Sequence, residues 1–260
     1  MGKHMRTIAG IITGFIFFSF GGCRQSTEEE IQAAIDAAVS TAMMIYTVVT
    51  TYSATIDINT LLSDDGCPQV DINGTPGNRS VNISYADNCS VDGISLSGDL
   101  AGAWTFAQGQ GVSIDMTLED FRVADHRTSG ELALQADALQ GAVVTVDGYV
   151  TIDGQTLTVD ELQATANLQQ TLLDPLDDTY SLNGSGSYLY NSTHYELDFS
   201  SVTAGFGCYV PVSGTITLKS STSLFPVSID FGNGTCDTVF EVSAGRVTRD
   251  VNLVDWLEGL

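Results

Sequence analysis

The chain has 260 residues, 43% of them hydrophobic and 16% charged, which is the balance of a folded domain with a real core rather than of a disordered chain. Nine Lys and Arg stand against 32 Asp and Glu, for a formal charge of −23. That field repels phosphate backbones, so no nucleic-acid partner is expected, and the bulk of the acid reads as a solvating surface.

Residues 1–7, MGKHMRT, form a short basic head, and residues 8–20, IAGIITGFIFFSF, are apolar and uncharged. Thirteen such residues are too few to span a bilayer, which needs about 20. A basic head, a short apolar centre and then small residues make a secretory signal. Here the small residues are Gly21 and Gly22, and Cys23 follows. This junction resembles the lipobox of bacterial lipoproteins, in which the signal peptide is cut before a cysteine that becomes the lipid-modified first residue. It departs from that pattern at Phe20, where leucine is usual. The resemblance covers the first 23 residues and implies lipidation at Cys23, with a membrane partner reached through an N-terminal lipid anchor in the bacterial cell envelope. Arg24, in place of the aspartate associated with inner-membrane retention, favours an outer-membrane address by the same resemblance. The segments divide as 1–22 signal peptide, 23–66 anchor cysteine, helix and connector, and 67–260 β domain. Lys3 and Arg6 lie in the signal, so the part from Cys23 onward carries only seven basic residues.

Cysteine arithmetic agrees. With Cys23 set aside, an even four remain, Cys67, Cys89, Cys208 and Cys236, as expected for disulfides in an oxidising compartment. Four cysteines allow three pairings. The local one, Cys67 with Cys89 and Cys208 with Cys236, closes loops that contribute about 3 kcal/mol each in the chain-entropy model. No C-x-x-C spacing is present, which argues against a zinc or redox site.

After Cys23, Ser26 with Glu29 and Thr27 with Glu30 have capping-box spacing, and Glu28, Glu29 and Glu30 sit where a helix dipole favours acid. Ile31, Ala34, Ile35, Ala38, Val39, Ala42, Met43 and Tyr46 recur at three- and four-residue intervals. An amphipathic helix over about 27–48 is expected, its stripe packed on the domain core. The threonine-rich YTVVTTYSATIDI that follows reads as a passage from helix to strand.

From about residue 69 the period becomes two. Segments 80–87, 112–123, 130–139, 142–153, 155–168, 186–190, 195–202, 213–218, 226–231 and 238–243 alternate apolar and polar residues, the mark of half-buried antiparallel strands. Asp147-Gly148, Asp153-Gly154, Asn183-Gly184 and Asn233-Gly234 read as hairpin turns. The expected fold is mainly β, an antiparallel meander forming a curved sheet, sandwich or open barrel, with one N-terminal amphipathic helix. A weak internal repeat aligns Val81, Ile83 and Tyr85 with Val227, Ile229 and Phe231. Each triplet runs to a turn and a cysteine, Cys89 or Cys236, and nine residues later to a glycine, Gly98 or Gly245. It suggests a disulfide-stapled hairpin used twice.

Catalytic and metal signals are thin. No G-x-S-x-G elbow occurs, and His126 and His194 lie in polar segments that read as solvated loops. Asp64-Asp65, Glu119-Asp120, Asp160-Glu161 and Asp177-Asp178 offer paired carboxylates for a glycosidase-like cleft, a pairing that 32 acids produce by chance. Asp71, Asn73 and the 147–154 region hold hard oxygen ligands, yet no EF-hand loop is present and hairpin chemistry already accounts for them. No cofactor motif appears, and nothing names a ligand or protein partner. The expected role is a non-enzymatic envelope lipoprotein, with an apolar-ligand carrier or a carboxylate-based hydrolase as the alternatives.

Overall fold

A computed structural model describes residues 20–56, 67–75, 77–91, 94–107, 111–136, 143–167, 179–205, 208–221, 223 and 225–259, with the α1 side chains described over 28–48. Residues 1–19 of the expected signal peptide, residues 57–66 of the expected connector and the acidic pairs Asp64-Asp65 and Asp177-Asp178 lie outside the described residues. Helix α1 runs Phe20–Ile56. Thirteen strands follow: β1 Gln69–Thr75, β2 Asn78–Val91, β3 Ile94–Ala107, β4 Gly111–Val123, β5 His126–Ala136, β6 Val143–Ile152 and β7 Gln155–Asn167, then β8 Thr179–Tyr190, β9 Thr193–Gly205, β10 Cys208–Ser220, β11 Val227–Asn233, β12 Val239–Ala244 and β13 Val247–Asn252. A short helix, α2 Leu253–Leu257, ends the described chain, its first turn capped by the Asn252 side chain.

The strands form one antiparallel sheet in strict sequence order, β1 to β13, the expected meander, and β1 and β13 remain its two edges. Alternation places one face inward. In β9, Tyr195, Leu197 and Phe199 are buried while His194, Glu196, Asp198 and Ser200 are exposed. An apolar inside and a polar outside is the reverse of a membrane-spanning barrel, whose lipid face is apolar.

The inward face curls around α1, which packs against β2, β3, β6, β7, β10, β11 and β12. Strands from both halves of the sheet reach the helix. Glu28 pairs with Arg249 of β13 at 2.6 Å, and toward the other end of the described stretch the Tyr46 hydroxyl meets that of Tyr85 in β2 at 2.9 Å. The sheet therefore winds around the helix as an open spiral. The expected stripe is buried, and so is nearly everything between its members: Ala33, Ala37, Ser40, Thr41, Met44, Ile45 and Thr47 are also inside. A helix buried on all sides needs small residues and paired polar groups. Alanines supply the first, and the Thr41 and Thr47 hydroxyls donate back to the Ala37 and Met43 carbonyls at 2.9 and 2.8 Å. The 21-residue stretch Glu28–Val48 is long and apolar enough to cross a membrane, but 83% of its apolar window is buried inside the protein.

Two expectations are corrected. The helix does not give way to strand at YTVVTTYSATIDI; it continues to Ile56. Of the four expected turns, Asp153-Gly154 makes the β6–β7 hairpin and Asn233-Gly234 ends β11, but Asp147-Gly148 and Asn183-Gly184 lie within β6 and β8, at register shifts. There the Asp147 and Asn183 side chains accept the backbone N–H of Glu161 and Ser201 on the next strand, at 2.6 and 2.8 Å. Glu161 and Ser201 sit at φ 51° and 50°, the extra residues of β-bulges. Asx-Gly chemistry is used here to bend strands rather than to reverse them, and repeated bulges let the sheet curl around a helix.

The repeat survives in part. Both triplets, Val81/Ile83/Tyr85 and Val227/Ile229/Phe231, point inward and are buried. Cys67 and Cys89 are disulfide-bonded with Cα atoms 5.8 Å apart, stapling the β1–β2 hairpin. Cys236 is also in a disulfide, while the side chain of Cys208, at the start of β10, lies outside the described residues. The glycines part company: Gly98 sits at a bulge inside β3, Gly245 in the β12–β13 turn.

Candidate functional site

The polar line running through the buried stretch of α1 is Gln32, Asp36 and Ser40, spaced four residues apart and so on a single face. Gln32 Nε2 donates to Asp36 Oδ1 at 2.8 Å. Beyond the carboxyl stand groups from three hairpins. His126, first residue of β5, holds Asp153 Oδ2 through Nδ1 at 2.6 Å, and Asp153 Oδ1 accepts the Arg127 N–H at 3.0 Å. Asp153, the residue at φ 48° in the β6–β7 turn, thus ties that turn to the β4–β5 turn. From the end of β8 come Tyr188 and Tyr190, rings stacked at 6.5 Å.

Burial dominates the electrostatics. It pushes the Asp36 carboxyl from 3.8 up to about 6; the Gln32 hydrogen bond and the His126 charge oppose the shift, and the Asp153 charge adds to it. Burial likewise raises the Tyr188 phenol, and the Asp36 carboxylate raises it further. Tyr195, beside Glu30 and Glu29, is pushed up to about 12, first by burial. Ser40 faces the Tyr188 phenol closely enough to ease its shift, yet the hydroxyls of both lack hydrogen-bond partners of good geometry. His126 is half-buried, its ring stacked on Trp256 of α2 at 4.7 Å and 20°. That stacking sets α2, which follows β13, against the start of β5.

Chemically this is a buried carboxyl beside an oriented imidazole, with two hydroxyls behind. The hydroxyls are unreachable: Tyr188 and Ser40 are both 0% exposed. The cluster is a polar seam at the helix–sheet interface, sealed at its two hydroxyls and half-open at Asp36 and His126. The sequence pattern does not reveal it. His126 is expected in a solvated loop, and Asp36 reads as a polar residue on the outer side of an amphipathic helix; the signal available is the four-residue spacing of Gln32, Asp36 and Ser40.

The other sequence candidates stay apart. Asp120 and Glu119 are exposed on β4, with Asp120 bound to Arg127 at 2.9 Å, and Asp160-Glu161 forms the β7 bulge. Asp71 and Asn73 lie exposed along β1 rather than in a turn, and His194 is exposed at the start of β9. Among the described residues no three His, Cys, Asp or Glu side chains group to hold a metal ion. Cys23 belongs to the first turns of α1, five residues before Glu28, and its side chain lies outside the described residues. Where α1 meets the open rim, Ala38 and Ala42 face Phe231, Phe240 and Leu253 across about 10 Å³ of free space, room for one water at most. Comparison with protein-family models, with curated proteins and with solved structures finds no significant match to this chain.

Proposed function

We propose that this chain is a lipoprotein of the bacterial cell envelope, held at the outer membrane through a lipid on Cys23, whose acidic β body has a non-enzymatic binding or structural role. The observation that supports this reading is the continuity of anchor and core. The helix that begins beside Cys23 is the helix the sheet winds around, and Ile31, eight residues on, is 0% exposed. A lipid there would keep the body close to the bilayer, because no long connector separates Cys23 from the buried part of α1. The reversed polarity of the sheet suits a body that stands off the membrane, because its outward strands offer acid and hydroxyl to water.

The alternatives have less behind them. An apolar-ligand carrier needs the concave face free, and α1 occupies it. A hydrolase needs converging carboxylates with reachable partners, and the half-buried Asp36 stands beside Tyr188 and Ser40 hydroxyls that are fully enclosed. The test is growth on labelled palmitate with wild-type protein and Cys23→Ser. Label and membrane association are expected in the wild type and lost in the variant. Wild-type protein recovered unlabelled and free of the membrane overturns the proposal.

A further inference from the structure

The end of the shell from which α1 emerges differs from the rest of the surface. Phe225, in the β10–β11 loop, is 65% exposed, more than any other large apolar side chain described. It lies against the β12–β13 turn, its ring 4.0 Å from where a Cβ on Gly245 would stand. The next residues of that hairpin are Arg246, exposed, and Val247, 41% exposed. Arg249 follows and binds Glu28 of α1, fixing the hairpin beside the emerging helix. Lys219, exposed, closes β10 at the foot of the Phe225 loop.

Basic residues are scarce in this chain, seven from Cys23 onward. Lys219, Arg246 and Arg249 are three of them, and Arg24 stands next to the anchor cysteine itself. Glu28 is answered by Arg249, Lys219 stands opposite Glu196 in the sheet register, and Glu29 and Glu30, beside Tyr195, add further acid at this end. Cys23 is only about 7.5 Å further along the helix axis than Glu28. Apolar tips flanked by Arg246 and Lys219, at the point where a lipid would hold the chain, match an interface of acyl chains and headgroups.

We infer that this end is a bilayer-contacting face, with Phe225 seated among the headgroups and Lys219 and Arg246 meeting acidic phospholipid while Arg249 holds the hairpin to Glu28. The inference rests on the lipoprotein reading and goes beyond it, since a lipid on Cys23 alone would leave the body free to turn any side to the membrane. Each basic side chain near an anionic surface favours contact by about fivefold, so Lys219 and Arg246 together bias a body whose remaining surface is acidic.

The full-length protein, recovered from membranes, is reconstituted into vesicles of phosphatidylethanolamine and phosphatidylglycerol with brominated acyl chains. Two variants report contact by tryptophan quenching above the Trp104 and Trp256 background. Phe225→Trp probes the proposed face, and Phe106→Trp, 49% exposed at the opposite turn edge of β3, probes the far end. The added signal of Phe225→Trp is expected to fall by about half or more and that of Phe106→Trp to hold, with Lys219→Glu and Arg246→Glu relieving the quenching of Phe225→Trp. Protein that floats with the vesicles while both variants are equally quenched, or equally unquenched, overturns the face and leaves the anchor standing. Protein that does not float overturns the anchor and the face with it.

Discussion

Replacing Asp36 by Asn tests the polar seam quantitatively. Asp36 ionises in water near 3.8, but within the fold its carboxyl is held protonated to about pH 6, chiefly by burial. The direction of the pH dependence follows. Below pH 3.8 the group is protonated in both folded and unfolded chains, and its stabilising contribution is fully present. As pH rises toward 6 the unfolded chain releases the proton while the folded chain retains it, so stability drains away, and above 6 the penalty is constant. Raising the carboxyl from 3.8 to about 6 corresponds to about 3 kcal/mol, and the remaining solvent access of Asp36 brings the expected effect to roughly 2 kcal/mol. Asn keeps the oxygen that accepts from Gln32 Nε2 at 2.8 Å and removes the charge. Asp36→Asn should therefore unfold roughly 4–8 °C above wild type at pH 7 and approach it at pH 4. Urea melts of both proteins across pH 4–8 give the difference curve, from which the titration of all other acids cancels. A difference that is flat with pH, or a variant less stable at pH 7, would refute the reasoning; the second result would mean that His126 and Gln32 repay the buried charge.

Removing the Cys67–Cys89 bond by Cys67→Ala with Cys89→Ala should cost about 3 kcal/mol, read from urea melts under non-reducing conditions, because the bond closes a 22-residue separation. Gly148→Ala and Gly154→Ala separate two Asp-Gly pairs that look alike in sequence. At Gly154, φ 86° with open space around it, alanine should cost about 1 kcal/mol, whereas at Gly148, φ 134° with a Cβ overlapping the Glu131 carbonyl, the loss should exceed roughly 3 kcal/mol; thermal melts that rank them the other way would disprove the bulge assignment.

Most of the architecture could be read from the sequence because period-two alternation survives in nearly every long strand of a sheet with one dry face. The segments that escape it have physical reasons. β3 contains Gly98, where close approach of the Asp120 backbone replaces side-chain packing, and Trp104 is only half-buried. β1 and β13 are sheet edges with hardly a buried residue between them, so they carry no inward pattern to detect. The inside of the shell was harder. Ser40, Thr41 and Thr47 look like the wet side of an amphipathic helix, yet two of them satisfy their hydroxyls on their own helix and go into the core. The seam around Asp36 joins α1, two distant turns and α2, separations that only the winding of the sheet brings together.

The central claim is that α1, which contains the proposed lipid site Cys23 in its first turns, is the core of the β body rather than a segment lying in lipid. Tyr46 offers the sharpest test, since its hydroxyl is 2.9 Å from that of Tyr85 across 39 residues of sequence. A benzophenone amino acid placed at position 46 in membrane-bound protein and irradiated should join that position to the β2 peptide carrying Tyr85, identified by mass spectrometry. Adducts to phospholipid, with no joined β2 peptide, would contradict it.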